Sequence, residues 1–155
     1  MTPAETEARS EHIVLPPNTN AHGTCFGGQI SAWVDIIAAI SAQRASRGPV
    51  VTASMDSLHF RRPIPLGHIV TLKAIVNRVW STSMEVGVKV TAEDPHTGEK
   101  AHTCTAYLTF VALDDQGKPR SIDHVTPTTP EETRRWSQAE IRRQGRLKTR
   151  EALGE

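Results

Sequence analysis

Between positions 27 and about 46 the apolar residues Ile30, Trp33, Val34, Ile36, Ile37 and Ile40 fall on nearly every side of a 3.6-residue period. That pattern predicts a long helix buried almost all round. Gly48 and Pro49 end it, since neither continues a helix interior. After residue 50 the period changes to two. Residues 50–60 open with β-branched Val50, Val51 and Thr52 and read as extended. In 68–80, Val70, Leu72, Ala74 and Val76 alternate with Thr71, Lys73 and Asn77. In 82–93, Met84, Val86, Val88, Val90 and Ala92 alternate with Glu85, Gly87, Lys89, Thr91 and Glu93. In 100–113, Cys104, Ala106, Leu108 and Phe110 alternate with Thr103, Thr105, Tyr107 and Thr109. Each run predicts a strand with one buried face. "DPHTGE" (94–99) reads as a hairpin turn and "PIPLG" (63–67) as a turn after a strand. Ahead of the helix, "HIVLP" (12–16) reads as a short strand and 17–25 as a loop.

The order is a strand, one long helix, then at least four strands without βαβ alternation. This predicts an α+β domain over residues 11–126, in which a curved antiparallel sheet wraps a long central helix. Residues 1–10 read as a flexible polar tail. Residues 127–155 read as a C-terminal helical extension, with Thr129 as N-cap, Pro130 at the first position and Glu131 and Glu132 in the first turn. That extension is basic: seven Lys or Arg against the single acid Glu140 between Arg134 and Arg150.

The whole chain is not basic. Its 155 residues carry 18 basic and 17 acidic side chains, a net charge of +1, which excludes a global electrostatic grip on nucleic acid or membrane. Cys25 and Cys104 have no CxxC spacing, so neither a disulfide framework nor a zinc site is expected. No apolar leader opens the sequence, and no uncharged run approaches the ~20 residues of a membrane span. The expectation is a soluble cytoplasmic domain without nucleic-acid or membrane partners.

Asp35 interrupts the apolar helix. At roughly 100° per residue its neighbours on the helix surface are Gly28, Ser31, Ala32, Ala38, Ala39 and Ala42, all small, whereas Ile30, Trp33, Ile37 and Ile40 lie opposite. Two readings follow. The small residues let a neighbouring element approach closely while Asp35 satisfies a structural donor, or they leave space for a ligand that Asp35 faces. Gly27 and Gly28 open the same helix, where backbone N–H groups lack intrahelical acceptors and the dipole is positive. An oxygen gaining charge there is stabilised, and one such donor is worth roughly 3 kcal/mol; the alternative is a plain tight turn into the helix.

The run "NTNAHGTCFGGQISAWVDIIAAISA" resembles the hotdog-fold acyl-CoA thioesterases, in the branch typified by cytosolic acyl-CoA hydrolases. "VVTASMDSLHFRRPIPLG", "TSMEVGVKV", "AYLTFVALDDQGKP" and "TPTTPEETRRW" fit the same family, in order, over roughly residues 12–148. The resemblance implies that Asp35 is the catalytic carboxylate, acting as general base or nucleophile. It implies that Asn20 orients water or the carbonyl, opposite Asp35 of the other subunit, and that the Gly28 N–H is the oxyanion donor. It also implies a dimer as the active unit, with sheets joined edge to edge, and hexamers made of three such dimers. Gly27, Arg61, Arg62 and Ser83 are the expected contacts to substrate or its coenzyme A portion. Thioester hydrolysis by one base and one oxyanion donor needs no metal or cofactor, and coenzyme A is part of the substrate. One departure is His68, where the family usually has aspartate after "PIPLG"; this is a turn position.

Two other functions stand beside this one. Hydration or dehydration of an acyl thioester on the same fold uses an active-site histidine, and here only His22 lies near the helix in sequence. A non-catalytic acyl-CoA-sensing domain would employ the basic 134–150 segment on nucleic acid or protein, but the segment contains no recognisable DNA-reading module.

Overall fold

The computed structural model describes residues 1–155. Five strands, β1 (Ala8–Ile13), β2 (Val50–Met55), β3 (Ile69–Val79), β4 (Ser83–Glu93) and β5 (Lys100–Ala112), form one antiparallel sheet in the order β1-β3-β4-β5-β2. Helix α1 (Gly27–Ser46) packs on one face and helix α2 (Pro130–Leu153) on the other.

The two-residue period decides which side chains meet which helix. Met84, Val86, Val88, Val90, Cys104, Ala106, Leu108 and Phe110 are all buried in one core with Ile30, Val34 and Ile37 of α1. Register reinforces it: Val86 lies opposite Leu108 and Val88 opposite Ala106. Irregularities in pairing at Thr52/Ser54, Val76/Arg78 and Val90/Thr91 bend the sheet around α1.

The opposite face has a charged centre. Glu85 on β4 has no solvent exposure. Arg142 reaches it from α2 with Nη2 2.7 Å from Oε1 and Nε 3.0 Å from Oε2, and Arg146 Nη1 lies 3.3 Å from Oε2. Asn77 Nδ2 donates to Oε1 at 3.0 Å. Gly87 makes room for this asparagine, since a Cβ there would sit 2.8 Å from Nδ2. Arg146 also holds Asp56 Oδ2 at 2.9 Å, and the Arg142 guanidinium lies 3.6 Å above the Tyr107 ring. A buried carboxylate is costly unless its oxygens are filled in this way. The helix begins as expected: Thr129 caps it by accepting from the Glu132 N–H at 3.1 Å, and Glu132 reaches back to the Thr128 and Thr129 N–H groups.

Several expectations need correction. Residues 1–10 do not form a loose tail: Pro3–Thr6 is a 3-10 turn, Thr6 and Ala8 are buried, and the first strand starts at Ala8 rather than His12. Thr6 Oγ1 accepts from the Val76 N–H at 2.9 Å, which ties the segment to an irregular point of β3. The extended run from 50 stops at Met55, five residues short of the expected end. Helix α1 also faces differently. Its buried face is centred near Val34 and Ser41, roughly 100° round from Asp35, and includes Ala38 and Ala42. These two alanines let the helix settle close on the sheet, so they do not border open space. Ile36 and Ile40 stay exposed, Ile36 at 62%, because the sheet covers α1 on one flank only.

Glu85→Ala leaves two arginines in the interface without their shared carboxylate. The expected cost is about 3–5 kcal/mol, read as a lower midpoint in urea unfolding; a midpoint within error of wild type contradicts this account of the buried cluster.

Candidate active site

Helix α1 starts without a side-chain cap. Phe26 holds the N-cap position in extended conformation, its N–H donates to the Asn18 carbonyl at 3.1 Å, and its own carbonyl accepts from Gln29 and Ile30. The Gly27 and Gly28 N–H groups have no acceptor within the chain. Side chains at either position would crowd an aromatic ring. A Cβ on Gly27 would sit 3.2 Å from a Phe60 ring carbon, and one on Gly28 would sit 3.3 Å from the Phe26 ring. Two aromatic rings, each about two-fifths exposed, therefore flank the open helix start.

Gly28 lies on the same face of α1 as Asp35, two turns earlier and roughly 10 Å along the axis. Asp35 is half-buried. Its Oδ1 accepts from Thr52 Oγ1 at 2.7 Å, and that is its only hydrogen bond; no cation pairs with it, and Oδ2 has no partner in the chain. The private structural contact and the reachable oxygen thus coexist on one carboxylate.

Thr52 gets there through the irregularity in β2. Thr52 pairs with Phe110, which faces α1, whereas Ser54 pairs with Thr109, on the face turned to α2. In a regular strand, residues two apart share a face. The extra residue, Ala53, puts them on opposite faces and aims Thr52 at Asp35. Thr52, Phe26 and Phe60 are site residues that sequence reasoning missed; Thr52 reads as an ordinary β-branched strand residue.

Asn20 is exposed in the loop before α1. Its Oδ1 accepts from the His22 and Thr24 N–H groups at 2.9 and 3.2 Å, and its Nδ2 lies 2.9 Å from Thr24 Oγ1. These bonds fix the loop's shape, and none reaches Asp35 of the same chain. The loop is pinned in turn by the Cys25 N–H on the Ile64 carbonyl at 2.7 Å. Burial pushes the Cys25 thiol up, so its thiolate is disfavoured and it packs as a small apolar residue. His22 contributes only its backbone N–H, and its ring makes no hydrogen bond.

Arg61 and Arg62 are exposed and face no carboxylate, in the segment that follows β2; the Arg61 N–H is held by the Thr103 carbonyl at 3.1 Å. Ser83 begins β4 on the face turned to α2, with its Oγ 3.4 Å from Arg143 Nη1. The structure thus brings Asp35 and Thr52 together near the open helix start, leaves Asn20 in its own loop and places Ser83 across the sheet. Asp35 lines none of the clefts beside Trp136, Tyr107, His68 or Arg150. The carboxylate lies instead on the flank of α1, between its buried face and the exposed side that carries Ile36 and Ile40.

Residues 22–99 match the Thioesterase superfamily. An uncharacterized acyl-CoA thioester hydrolase of Bacillus subtilis, YkhA, is 49% identical over 77% of this chain and 69% of its own length. Acyl-coenzyme A thioesterase 11 of Mus musculus is 39% identical over 95% of this chain but 25% of its own length, so this chain spans about a quarter of the mouse protein. Among solved structures, an apo-hexameric acyl-CoA thioesterase superposes with a TM-score of 0.93 at 38% identity, covering 96% of each chain. The acyl-CoA hydrolase of Staphylococcus aureus, solved with butyryl coenzyme A, coenzyme A and coenzyme A disulfide, gives 0.88 at 35% identity, over 99% of this chain and 96% of that one. Variants of the staphylococcal hydrolase have been solved in which an asparagine, an aspartate fifteen residues later and a threonine seventeen beyond that are each replaced by alanine. By sequence and by fold, this chain belongs to the thioesterase superfamily.

Proposed function

We propose that the protein is an acyl-CoA thioesterase, hydrolysing the thioester to a carboxylic acid and free coenzyme A. One observation carries the reading: the half-buried Asp35 carboxylate has one oxygen held by Thr52 and the other open, on a helix whose first N–H groups are free. The spacing of Asn20, Asp35 and Thr52 supports it, because it equals that of the three residues replaced in the staphylococcal hydrolase.

In this mechanism Asp35 Oδ2 takes a proton from water as the oxygen attacks the thioester carbon. The carbonyl oxygen becomes an oxyanion, stabilised by the Gly28 N–H and the positive end of the α1 dipole of the subunit that supplies Asn20, since within one chain Gly28 lies roughly 10 Å along the axis from Asp35. Collapse breaks the C–S bond, and the leaving thiolate recovers the proton. A thioester carbonyl is electrophilic and thiolate leaves readily, so no cofactor enters the scheme. Thr52 holds the carboxylate in one orientation. The acyl chain meets an apolar surface that includes the Phe26 and Phe60 rings.

The active unit is a dimer, and the hexamer is three dimers. β2 ends the sheet as an edge strand with Val51 47% exposed, and α1 leaves Ile36 and Ile40 uncovered. An unpaired apolar edge of this kind is a ready interface. Joining two sheets through β2 covers it and brings the Asn20 loop of one subunit to Asp35 of the other.

Asp35→Asn folds and assembles normally and lowers kcat by roughly 10²–10⁴-fold in a thiol-release assay; full activity in a folded variant removes Asp35 from the chemistry. Thr52→Val removes one hydrogen bond to a charged group, so kcat falls about ten- to a hundredfold with little change in stability. A shared site also makes a sharper demand. Subunits carrying Asn20→Ala and subunits carrying Asp35→Asn are each nearly inactive, but co-expressed they recover about a quarter of wild-type turnover, because half the dimers are mixed and each mixed dimer holds one intact site. No recovery means that the two residues serve within one chain.

A further inference from the structure

Asn77 and Arg135 each carry a buried polar atom with nothing to bond to. Asn77 lies on β3 at 2% exposure. Its Nδ2 donates to Glu85 at 3.0 Å, which fixes the amide and leaves Oδ1 at its other end without a partner. Arg135 enters from the first half of α2. Its Nη1 faces Glu131 at 3.3 Å, but its Nε is buried and donates to nothing. Both residues line one cleft of about 600 Å³ between the sheet and α2, and Gly87 keeps its floor open. No residue of β2 lines it, so joining two sheets at that edge uses none of its surface.

An acceptor and a donor orphaned in the same cleft call for a ligand, because buried polar atoms are nearly always paired. The charges around them narrow its chemistry. Lys73 and Lys89 stand directly opposite one another on β3 and β4, where like charges repel. Glu7 neutralises Lys73 at 3.2 Å, whereas Lys89 faces no carboxylate. On the helix side Arg134 and Arg135 share Glu131, and Glu132 is taken up by the helix cap. Counting these groups, the cleft keeps one positive charge over. An ion placed on the orphan atoms themselves would lose its hydration and meet no counter-charge of its own. A neutral group that both donates and accepts avoids that cost. The two orphans sit on opposite walls, sheet and helix, and a secondary amide carries its N–H and C=O on opposite sides.

We propose that this cleft is a binding site for a small molecule with one secondary amide and one carboxylate, the chemistry of an N-acyl amino acid. The amide N–H donates to Asn77 Oδ1, the amide carbonyl accepts from Arg135 Nε, and the carboxylate pairs with Lys89. Ile75 and Tyr107, on the sheet wall, offer the acyl group apolar contact. The site lies on the face of the sheet turned to α2, opposite the one that α1 and Asp35 occupy. Its ligand is therefore not the one on which Asp35 acts, and the proposal does not depend on the thioesterase reading.

Calorimetric titration of the intact protein tests this with N-acetylglycine as the probe. Three controls each remove one feature: acetoxyacetate has an ester oxygen in place of the amide N–H, N-methylacetamide has no carboxylate, and propionate has no amide. N-acetylglycine binds saturably, and each control binds about tenfold more weakly or worse. K89Q, at an exposed strand position, and R135Q each raise the Kd for N-acetylglycine about tenfold. K148Q, exposed on α2 outside the cleft, leaves it unchanged. Equal binding of acetoxyacetate and N-acetylglycine overturns the proposal, as does a Kd that neither K89Q nor R135Q moves. Absence of saturable binding overturns it too, since the two orphan atoms are then met by solvent alone. Thioester turnover enters no arm of the test, so its outcome is separate from that of the catalytic variants.

Discussion

A carboxylate with no solvent exposure at the middle of a sheet persists only if another element brings it partners. Glu85 is that carboxylate, and Arg142 and Arg146 are those partners. The cluster does more than hold a helix down. Breaking such a pair exposes neither charge to water and leaves an uncompensated one, so the position of α2 is fixed tightly relative to β4. Asn77 and Gly87 extend the constraint across β3, and Asp56 extends it to the end of β2. The convex face is thereby closed and ordered.

Asp35 is the contrasting case. Both carboxylates are withdrawn from full solvent, yet Glu85 has each oxygen filled from within the chain and Asp35 has one oxygen filled. Filling both oxygens makes a structural residue, because no proton or substrate can approach. Filling one orients the group and leaves the other to react. The same contrast separates the two readings that the helix pattern leaves open: the small residues Ala38 and Ala42 serve close packing, while Asp35, on the flank beyond them, faces outward.

The features legible in the sequence are those written locally. The limits of α1, the alternation of β3, β4 and β5 and the capping of α2 by Thr129 depend on neighbours within a few residues, and all three stand in the structure. Features set by distant partners were hidden. The N-terminal segment looks like a polar tail because its order comes from backbone pairing with β3 and from Thr6 on Val76, not from apolar side chains. Glu85 occupies a position that alternation marks as solvent-facing, and only α2, some sixty residues on, reveals it as buried. Thr52 was hidden because a bulge leaves no trace in a two-residue period. Asn20 was readable through resemblance alone, since its bonds in the chain describe only a loop.

That bulge sets which side chains of β2 reach α1 and which turn toward α2. Were Ala53 paired regularly instead, Thr52 and Ser54, two residues apart, would share one face, and either the hydrogen bond to Asp35 or the turn of Ser54 toward α2 would be lost. An edge strand tolerates the irregularity, because only one neighbour, β5, has to absorb the register shift. The same edge carries the uncovered apolar residue Val51, and α1 leaves Ile36 and Ile40 uncovered. A second subunit docking there would cover the apolar flank and enclose the open oxygen of Asp35. One strand at the margin of the sheet thus holds the carboxylate of α1 through Thr52 and leaves its own outer edge unpaired.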